Sequence, residues 1–459
     1  MLIDLIMPYK GMLSGSAELR AQRNVSQDVV VVGGVVSTNS NNILAGVNAR
    51  VYMNGSYGFA SSCGLNKDVI EKVLHQASEN AKYMDSRSGA KAAAFPPNPT
   101  GVYKTGKTVI PTSQKQMIDF ASELDGYIQR KYPKLVGRTV VISADHIEKA
   151  IVTNDGYDLY SINPRAHATV QLSIATPDGG VADFSDNIGG PGFFAELFTE
   201  PGKLHEEIDK IYEIVRHKSE GIFPNAGVRD VVMSSDLAGI LAHEALGHTV
   251  EADMVIGGSV AGPNLNKQVA DPLISIVDFA NEAFGRPVPQ PIYVDDEGTL
   301  AEDVVIVDKG ELKGFMHNRE SAAGYGVKPQ GNARALSYSD EPLIRMRNTA
   351  ILPGESLLED MISSIEDGYY LIRPGNGQAD STGEFMFSIR MGYEIKNGKI
   401  GRAIKDTTIS GVAFEMLKTV DMVSNDMKWS TSGNCGKKTR IPVGSGGPAI
   451  KAKINIGGR

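Results

Sequence analysis

Residues 230–248 read DVVMSSDLAGILAHEALGH, and they join a strand, a capping sequence and a helix in one stretch. The run Asp230–Met233 predicts a short strand, and Ser234-Ser235-Asp236 supplies capping side chains for the helix that follows. This helix runs into His243, so the residues with the clearest chemistry lie on a helix that starts at the end of a strand. Strands joined to helices in this way predict an α+β fold.

The first half of the chain alternates β-rich runs with turn signals. The runs are Val29–Val36, Ile43–Met53 and Ser56–Ala60, and Asn54-Gly55 favours a hairpin because both residues tolerate a positive φ. Amphipathic stretches at Lys67–Met84 and near Ser113–Arg130 predict two helices. Later runs predict further strands at Arg138–Ser143, Ile151–Asn154, Tyr157–Ile162 and His167–Ala175, and a charged helix near Lys203–Lys218.

The length of 459 residues favours two domains over one hydrophobic core. The loop Gly221–Gly227 contains the turn sequence Pro-Asn-Ala-Gly, and we place the boundary there. We therefore predict a domain at residues 1–222 and a second one at 223–459. Each is expected to have antiparallel or mixed β-sheet meanders packed against helices.

Charge and hydropathy exclude two classes of protein. A formal net charge of -8 argues against nucleic-acid binding, which requires clustered basic side chains. The short basic run Lys437-Lys438-Thr439-Arg440 is predicted to be a solvated turn. No apolar run approaches the roughly 20 residues that span a bilayer, and the apolar Met1–Met7 contains Asp4 and offers no signal peptide. We expect a cytoplasmic protein.

The two cysteines are too few for a disulfide framework and are considered singly. Cys63 ends a predicted strand, and we expect it to pack as a small buried residue. Cys435 lies between Gly433 and Gly436 in a polar, turn-like segment. That is an unusual place for a cysteine that only fills a core, so Cys435 is a candidate for chemistry.

The segment His243-Glu244-Ala245-Leu246-Gly247-His248 has the composition of a zinc site. In the common spacing H-E-x-x-H, the two histidines lie about 40° apart around a helix and share one metal ion. Here they are five residues apart, which is about 140° on a regular α-helix. Both can reach one ion if the helix widens into a π-type turn or ends, and Gly247 is placed to allow this. Alternatively, the histidines merely flank a buried apolar helix face.

Catalytic zinc is held by three protein ligands and keeps a fourth position for water. Glu251 and Asp253 follow the histidines closely, and Cys435 is a distant candidate for the third ligand; the spacing does not choose among them. Glu244 directly follows the first histidine. It is predicted to act as general base towards the water and then as acid towards the leaving amine.

Several segments of the chain carry a resemblance to a known family. In the first half the likeness lies in residues 51–61, from Val51 to Ser61. In the second half it is sharper, and the segments are His243–His248 with Glu251-Ala252-Asp253, Asp295-Asp296-Glu297-Gly298, Gly331-Asn332-Ala333-Arg334, Arg345-Met346-Arg347-Asn348-Thr349 and Gly433-Asn434-Cys435-Gly436-Lys437. Together they resemble the TldD/PmbA metallopeptidases, a family also labelled modulators of DNA gyrase.

The resemblance implies one zinc ion per active subunit, bound by His243, His248 and Cys435, with Glu244 as the catalytic base. It also implies a homodimer, or a heterodimer with a related subunit that lacks the histidine motif. Family substrates are unfolded or flexible peptides that bind in extended form, and strand addition would give affinity with little sequence demand. Polar residues in family-like segments that could line the cleft, or could equally serve structural ion pairing, are His317, Arg334 and Arg345.

We therefore expect a zinc-dependent peptidase that cleaves unfolded or extended peptides. One alternative is a non-catalytic regulatory or binding subunit with a structural metal, which coordination by Glu251 or Asp253 as a fourth ligand would favour. Another is a metal-assisted hydrolase that acts on amides other than peptide bonds. The number of protein ligands distinguishes the peptidase from the subunit with a structural metal, since three ligands favour the first and four the second.

Overall fold

A long, mostly antiparallel sheet organises the first half of the chain. The computed structural model describes residues 1–88, 95–96 and 98–457. The strands of this sheet are β1 (Ser16–Val32), β2 (Val35–Met53), β3 (Ser56–Cys63), β4 (Gly101–Lys104), β5 (Gly137–Thr153), β6 (Tyr157–Ala175) and β7 (Val181–Pro191). Their order is β3-β2-β1-β5-β6-β4, β7 also pairs with β6, and β4 is parallel to β6.

Helices cover one face of this sheet. They are α1 (Leu2–Ile6), α2 (Lys67–Ser88), α3 (Gln114–Lys131), α4 (Phe194–Leu197) and α5 (His205–Ser219). Alternate residues of a strand point to opposite faces, and the odd-numbered residues Leu19 and Val31 of β1 lie in the apolar core beneath the helices. The predicted apolar stripe of α2 is buried on the same face.

The opposite face of the sheet is polar and is buried against the second half of the chain. Arg20 of β1 lies 3.1 Å from Asp296, and Lys149 of β5 lies 2.6 Å from the same carboxylate. Arg50 of β2 pairs with Glu297 of the same loop. These buried ion pairs fix the loop 295–298 of the second half against the first.

The second half consists of two larger sheets and short strand pairs. Its strands are β8 (Gly227–Met233), β9 (Ile276–Phe279), β10 (Glu282–Ala283), β11 (Arg286–Pro287), β12 (Val304–Asp308), β13 (Glu311–Leu312), β14 (Ala333–Arg334), β15 (Leu343–Ile344), β16 (Asn348–Ile351), β17 (Asp367–Ala379), β18 (Glu384–Lys396), β19 (Lys399–Ile404), β20 (Thr407–Val412), β21 (Met422–Val423), β22 (Lys428–Ser430), β23 (Asn434–Lys437), β24 (Thr439–Pro442), β25 (Gly444–Gly447) and β26 (Ile450–Ile456). Its helices are α6 (Ser235–Leu241), α7 (Ala252–Ile256), α8 (Arg319–Tyr325), α9 (Leu358–Ser363) and α10 (Ala413–Leu417). One sheet has the order β17-β8-β26-β20-β18-β19 and the other β13-β12-β9-β16-β25-β22, with β23 and β24 forming a separate hairpin.

The structure confirms the α+β fold and corrects details within it. Strand β1 starts at Ser16 and not at Val29, and β5 and β6 are each continuous where the sequence predicted two pieces. The polar residues that resembled breaks are paired within the structure: Lys149 contacts Asp296 of the second half, and Arg165 of β6 contacts Asp145 of β5. The domain boundary near residue 222 stays a prediction.

Cys63 is exposed, so the expectation that it packs in the interior was wrong. The physical reason is its position, since it is the last residue of β3, the outer strand of the sheet. We also note that no described helix is long and apolar enough to cross a membrane.

Close packing of α2 on β3 gives a first prediction. A Cβ atom on Gly58 would lie 2.1 Å from the backbone nitrogen of Ala81 and 2.2 Å from the carbonyl oxygen of Ala77. Both atoms belong to the backbone of α2, which must shift to make room. We expect Gly58→Ala to lower the free energy of unfolding by about 1–3 kcal/mol, measured by urea denaturation. In Gly106→Ala the new Cβ meets nothing within 4 Å, so this control should keep its stability; equal stability of both variants would contradict the packing.

Candidate metal centre

Helix α6 is held between the two larger sheets of the second half. Its start is capped by Ser234, whose hydroxyl accepts a hydrogen bond from the backbone N–H of Leu237. A Cβ on Gly239 would lie 2.8 Å from the backbone nitrogen of Gly446 in β25, so the helix backbone rests directly on that strand. The close approach of Gly239 to Gly446 thus fixes the position of the turn that follows α6.

After α6 the helix widens into a π-turn at Ala242–Gly247, as the spacing of the histidines requires. The backbone N–H of His248 donates to the carbonyl oxygen of His243, five residues earlier. The two imidazole rings therefore lie near each other, with 5.3 Å between their centroids. The predicted change of helix geometry is present.

Gly247 serves this turn for a different reason from the one that we expected. Its φ of -55° and ψ of -45° are ordinary helical values, which any residue adopts. A Cβ at this position would lie 2.1 Å from the sulfur of Met346. Glycine is needed here for space and not for its conformational freedom.

Three side chains converge at this turn. One ligand atom from each of His243, His248 and Cys435 lies within 4.8 Å of the other two. The Sγ of Cys435 is 3.5 Å from Nε2 of His248. Donors of a tetrahedral zinc ion lie roughly 3.3–3.8 Å apart at ordinary Zn–N and Zn–S bond lengths, so a small contraction would complete the geometry. The structure brings together the three residues that the resemblance implied.

His243 fits the role of a metal ligand. Its side chain is buried, and neither ring nitrogen has a hydrogen-bond partner within the described part of the chain. Burial, assisted by the charges of His248, Arg345 and Arg334, holds the pKa of His243 well below its usual range. A neutral imidazole with an unsatisfied lone pair is the form that binds zinc, and a bound ion would remove the cost of burying it.

His248 lies between an acid and a thiol. Its Nδ1 is 3.1 Å from Oε2 of Glu251, and its Nε2 faces Cys435. Burial alone would lower the pKa of His248, but the hydrogen bonds to Cys435 and Glu251 outweigh it and raise the pKa to about 10. A metal ion would therefore compete with a proton for Nε2 of His248 and Sγ of Cys435.

Glu244 lies on the solvent-accessible side of the cluster. One of its carboxylate oxygens is 3.6 Å from Nε2 of His248, and 27% of its side chain is exposed. Burial raises the pKa of Glu244 above its usual value, and the charge of Glu251 adds to this while that of His248 opposes it. A raised pKa suits a carboxyl group that must both accept and return a proton.

The two acids that the sequence left open as ligands are directed elsewhere. Glu251 and Asp253 both contact the ammonium group of Lys437, at 3.1 and 2.7 Å. The prediction that Lys437 belongs to a solvated turn was wrong, since only 16% of its side chain is exposed. The period-2 alternation of a strand, which puts Lys437 on the same face as Cys435, was the available signal.

The three suggested cleft residues are not among the three side chains that converge as candidate metal ligands. Arg345 is 1% exposed and donates to the carbonyl oxygen of Cys435 at 2.6 Å, so it anchors the β23–β24 hairpin and offers a substrate almost no surface. The hairpin carbonyls need a buried donor, and Arg345 supplies it. A role for Arg345 in the cleft stays a prediction.

Arg334 and His317 are also buried. Arg334 donates to the carbonyl oxygens of Met346 and Pro442 at 2.6 and 2.8 Å, and burial, followed by the charge of Arg345, lowers its pKa to about 10. Burial lowers the pKa of His317 to about 4, and its Nδ1 is 3.0 Å from the hydroxyl of Ser321. A role for either residue in the cleft stays a prediction.

Comparisons with known proteins identify relatives across the chain. The model of the PmbA/TldA metallopeptidase C-terminal domain matches residues 226–458, and that of PmbA/TldA metallopeptidase domain 1 matches residues 17–81. A zinc metalloprotease TldD homolog of Saccharolobus solfataricus is 28% identical over 446 residues, which cover 96% of each chain. A metalloprotease of Archaeoglobus fulgidus is 36% identical over 259 residues, covering 56% of this chain and 59% of its own.

Solved structures share the fold at low sequence identity. TldE from Thermococcus kodakarensis superposes with a TM-score of 0.79 at 16% identity, covering 100% of both chains. A putative modulator of a DNA gyrase from Thermotoga maritima has a TM-score of 0.78 at 21% identity, covering 99% of this chain and 98% of its own.

The contact between Gly247 and Met346 gives a second prediction. In Gly247→Ala the new methyl group would collide with the sulfur of the buried Met346, so either this side chain or the π-turn would have to move. We expect a loss of about 1–3 kcal/mol in the free energy of unfolding, measured by chemical denaturation of the metal-free protein. Gly436→Ala, in which the Cβ meets nothing within 4 Å, should unfold like the unmodified protein. Equal stability of the two variants would show that the turn tolerates a side chain.

Proposed function

Because the chain belongs to the PmbA/TldD metallopeptidase family, we propose that it is a zinc-dependent peptidase that hydrolyses unfolded or extended peptides. The observation that carries the proposal is the convergence of His243, His248 and Cys435 beside the carboxylate of Glu244. Relatives that span nearly the whole chain are named as metalloproteases, which supports the same class of reaction.

The number of ligands favours a catalytic over a structural metal. Structural zinc sites are usually closed by four protein ligands, whereas catalytic ones keep a position open. Here Glu251 and Asp253, the nearby acids that could close the site, are paired with Lys437. This supports a three-ligand centre and weighs against the alternative of a non-catalytic binding subunit with a structural metal.

Glu244 is proposed to move the protons of the reaction. Zinc, when bound, supplies a Lewis acid that lowers the pKa of a water molecule and polarises a carbonyl group. The carboxylate of Glu244 accepts the proton that the water loses as its oxygen bonds to the peptide carbonyl carbon. It then donates this proton to the leaving nitrogen as the C–N bond breaks, so that the products are a carboxyl group and an amine.

The centre is accessible from one side. His243 and Cys435 are buried, while 21% of the His248 side chain and 27% of the Glu244 side chain are exposed. A peptide would approach across Glu244 and His248, and an extended backbone would suit such a shallow approach better than a folded segment. The homodimer, the heterodimer with a related subunit and the cytoplasmic location stay predictions.

Substitution of the proposed base gives a third prediction. Glu244→Gln keeps the size of the side chain and removes its ability to accept a proton. We expect at least a hundredfold loss of kcat on an unfolded casein-like substrate, with bound zinc still near one per chain by elemental analysis. The exposed Glu123→Gln on α3 serves as a charge-matched control with normal turnover. If Glu244→Gln cleaves as fast as the unmodified protein, Glu244 is not the base.

Metal removal gives a fourth prediction. Treatment with a chelator should abolish cleavage of a peptide library followed by mass spectrometry, and added zinc should restore it. Cys435→Ser replaces the soft thiolate by a poorer zinc ligand, so this variant should lose zinc at chelator concentrations that leave the unmodified protein loaded. Cys63→Ser, which changes the exposed cysteine, should retain zinc. Cleavage that survives complete metal removal would refute the proposal.

A further inference from the structure

We propose that Glu251 and Lys437 are positioning residues that fix the imidazole of His248 with Nδ1–H directed at Glu251 and Nε2 directed at the metal. The inference rests on the proposed zinc function and assigns roles to two charged residues outside the ligand set. Carboxylates that accept a hydrogen bond from a metal-bound histidine orient its ring and raise its basicity as a ligand.

The contacts of Glu251 select one nitrogen of His248. Oε2 of Glu251 lies 3.1 Å from Nδ1 of His248, and the carboxyl group is completely buried. A buried carboxylate needs donors, so Nδ1 carries the hydrogen. The lone pair of neutral His248 then lies on Nε2, which is the nitrogen that faces Cys435 at 3.5 Å.

The backbone of Glu251 is held in place on both sides. The N–H of Ala252 donates to the carbonyl oxygen of Met316, and the N–H of Met316 donates to that of Val250, both at 3.0 Å. Glu251 therefore lies opposite Met316 in an isolated β-bridge, between two backbone hydrogen bonds. Its carboxylate is presented to His248 from a rigid support, as a positioning group requires.

Strand β23 acts on both sides of the His248 ring, directly at Nε2 and through Glu251 at Nδ1. Residues two apart on a strand point to the same side, and here these are Cys435 and Lys437. Cys435 approaches Nε2 directly, whereas Lys437 approaches the Nδ1 side through Glu251, which it contacts at 3.1 Å. A single strand thus supplies the ligand on one side of the ring and the support of the carboxylate on the other.

Lys437 offsets the charge that Glu251 buries. Its ammonium group contacts Glu251, Asp253 at 2.7 Å and the carbonyl oxygen of Ile344 at 3.0 Å. A buried carboxylate without a counter-charge is costly, and the ion pair with Lys437 offsets that cost. Asp253 shares the lysine, whereas the hydrogen-bond partners of His248 are Glu251 and Cys435, so Asp253 is a matched control.

His243 has no comparable support. Both of its ring nitrogens are buried and without a hydrogen-bond partner among the described residues. Among the three proposed ligands, changes at Glu251 should therefore act through His248, and the effect should appear in the metal affinity and in the coordination geometry.

The test measures metal binding by the full-length protein, first stripped of metal. The dissociation constant for zinc is obtained by competition with a chromogenic chelator, and the coordination geometry by the absorption spectrum of the cobalt-loaded protein. We expect Glu251→Leu to weaken zinc binding about 10–100-fold and to alter the cobalt spectrum. Glu251→Gln retains an acceptor for Nδ1–H, so it should lose less zinc affinity than Glu251→Leu. This variant keeps the test decisive if the leucine variant does not fold.

Lys437 acts through Glu251, so the pair should not be additive. Lys437→Met should weaken zinc binding, and adding it to Glu251→Leu or Glu251→Gln should cause no further loss. Asp253→Asn should bind zinc normally. Asp125→Asn, which disrupts a buried pair with Arg138 in the first half, should lower the unfolding temperature and leave the zinc affinity and cobalt spectrum unchanged.

The outcomes separate this inference from the proposed function. Zinc affinities of both Glu251 variants equal to that of the unmodified protein would overturn the inference, even if the protein is an active zinc peptidase. A loss in Asp253→Asn as large as in Glu251→Leu would overturn it too, because the effect would then be general electrostatics. If the unmodified protein binds no zinc, the inference and the proposed function fail together.

Discussion

Two histidines five residues apart on a regular α-helix cannot share one ion, and this constraint organises the second half of the chain. The π-turn at Ala242–Gly247 meets it, and its neighbours are shaped to hold the turn. Met346 fills the space that Gly247 leaves, and α6 rests on β25 through glycine backbones. Single π-turns in proteins frequently lie at functional sites, in part because regular hydrogen bonding is given up to aim a side chain.

Many polar residues in the family-like segments stabilise the structure around the site and are not part of the site itself. Asp278 and Arg347 are both completely buried, and the carboxylate accepts from the backbone N–H and Nε of Arg347 at 2.8 Å. Asn332 and Thr349 donate to the same carboxylate, at 2.9 and 3.0 Å. Arg345 similarly holds the hairpin of Cys435 by its carbonyl oxygens. Buried arginines here replace the strand pairing that irregular segments lack.

The sequence predicted the features that depend on local spacing. The helix α2, the histidine pair and the need for a widened turn follow from periodicity, and the capping residues mark the start of α6. Features that depend on distant partners could not be predicted in this way. Lys437 resembled a solvated lysine because its partner Glu251 lies far from it in sequence, and Gly247 is explained by Met346, almost a hundred positions later. The long strands β5 and β6 resembled broken ones because their polar residues find partners far away in sequence: Arg165 pairs with Asp145 on the neighbouring strand, and Lys149 pairs with Asp296 in the other half of the chain.

The polar face of the first sheet has a consequence for how the molecule is assembled. Arg20 and Lys149 bury their charges against Asp296, and Arg50 pairs with Glu297. If the two halves were separated, these charged side chains would be exposed to solvent or left buried without a partner. Removal of one member of a buried pair leaves the other uncompensated. Separating the two halves is therefore costly despite their separate sheets. A fragment that ended near residue 222 would present to solvent a surface built to be an interior.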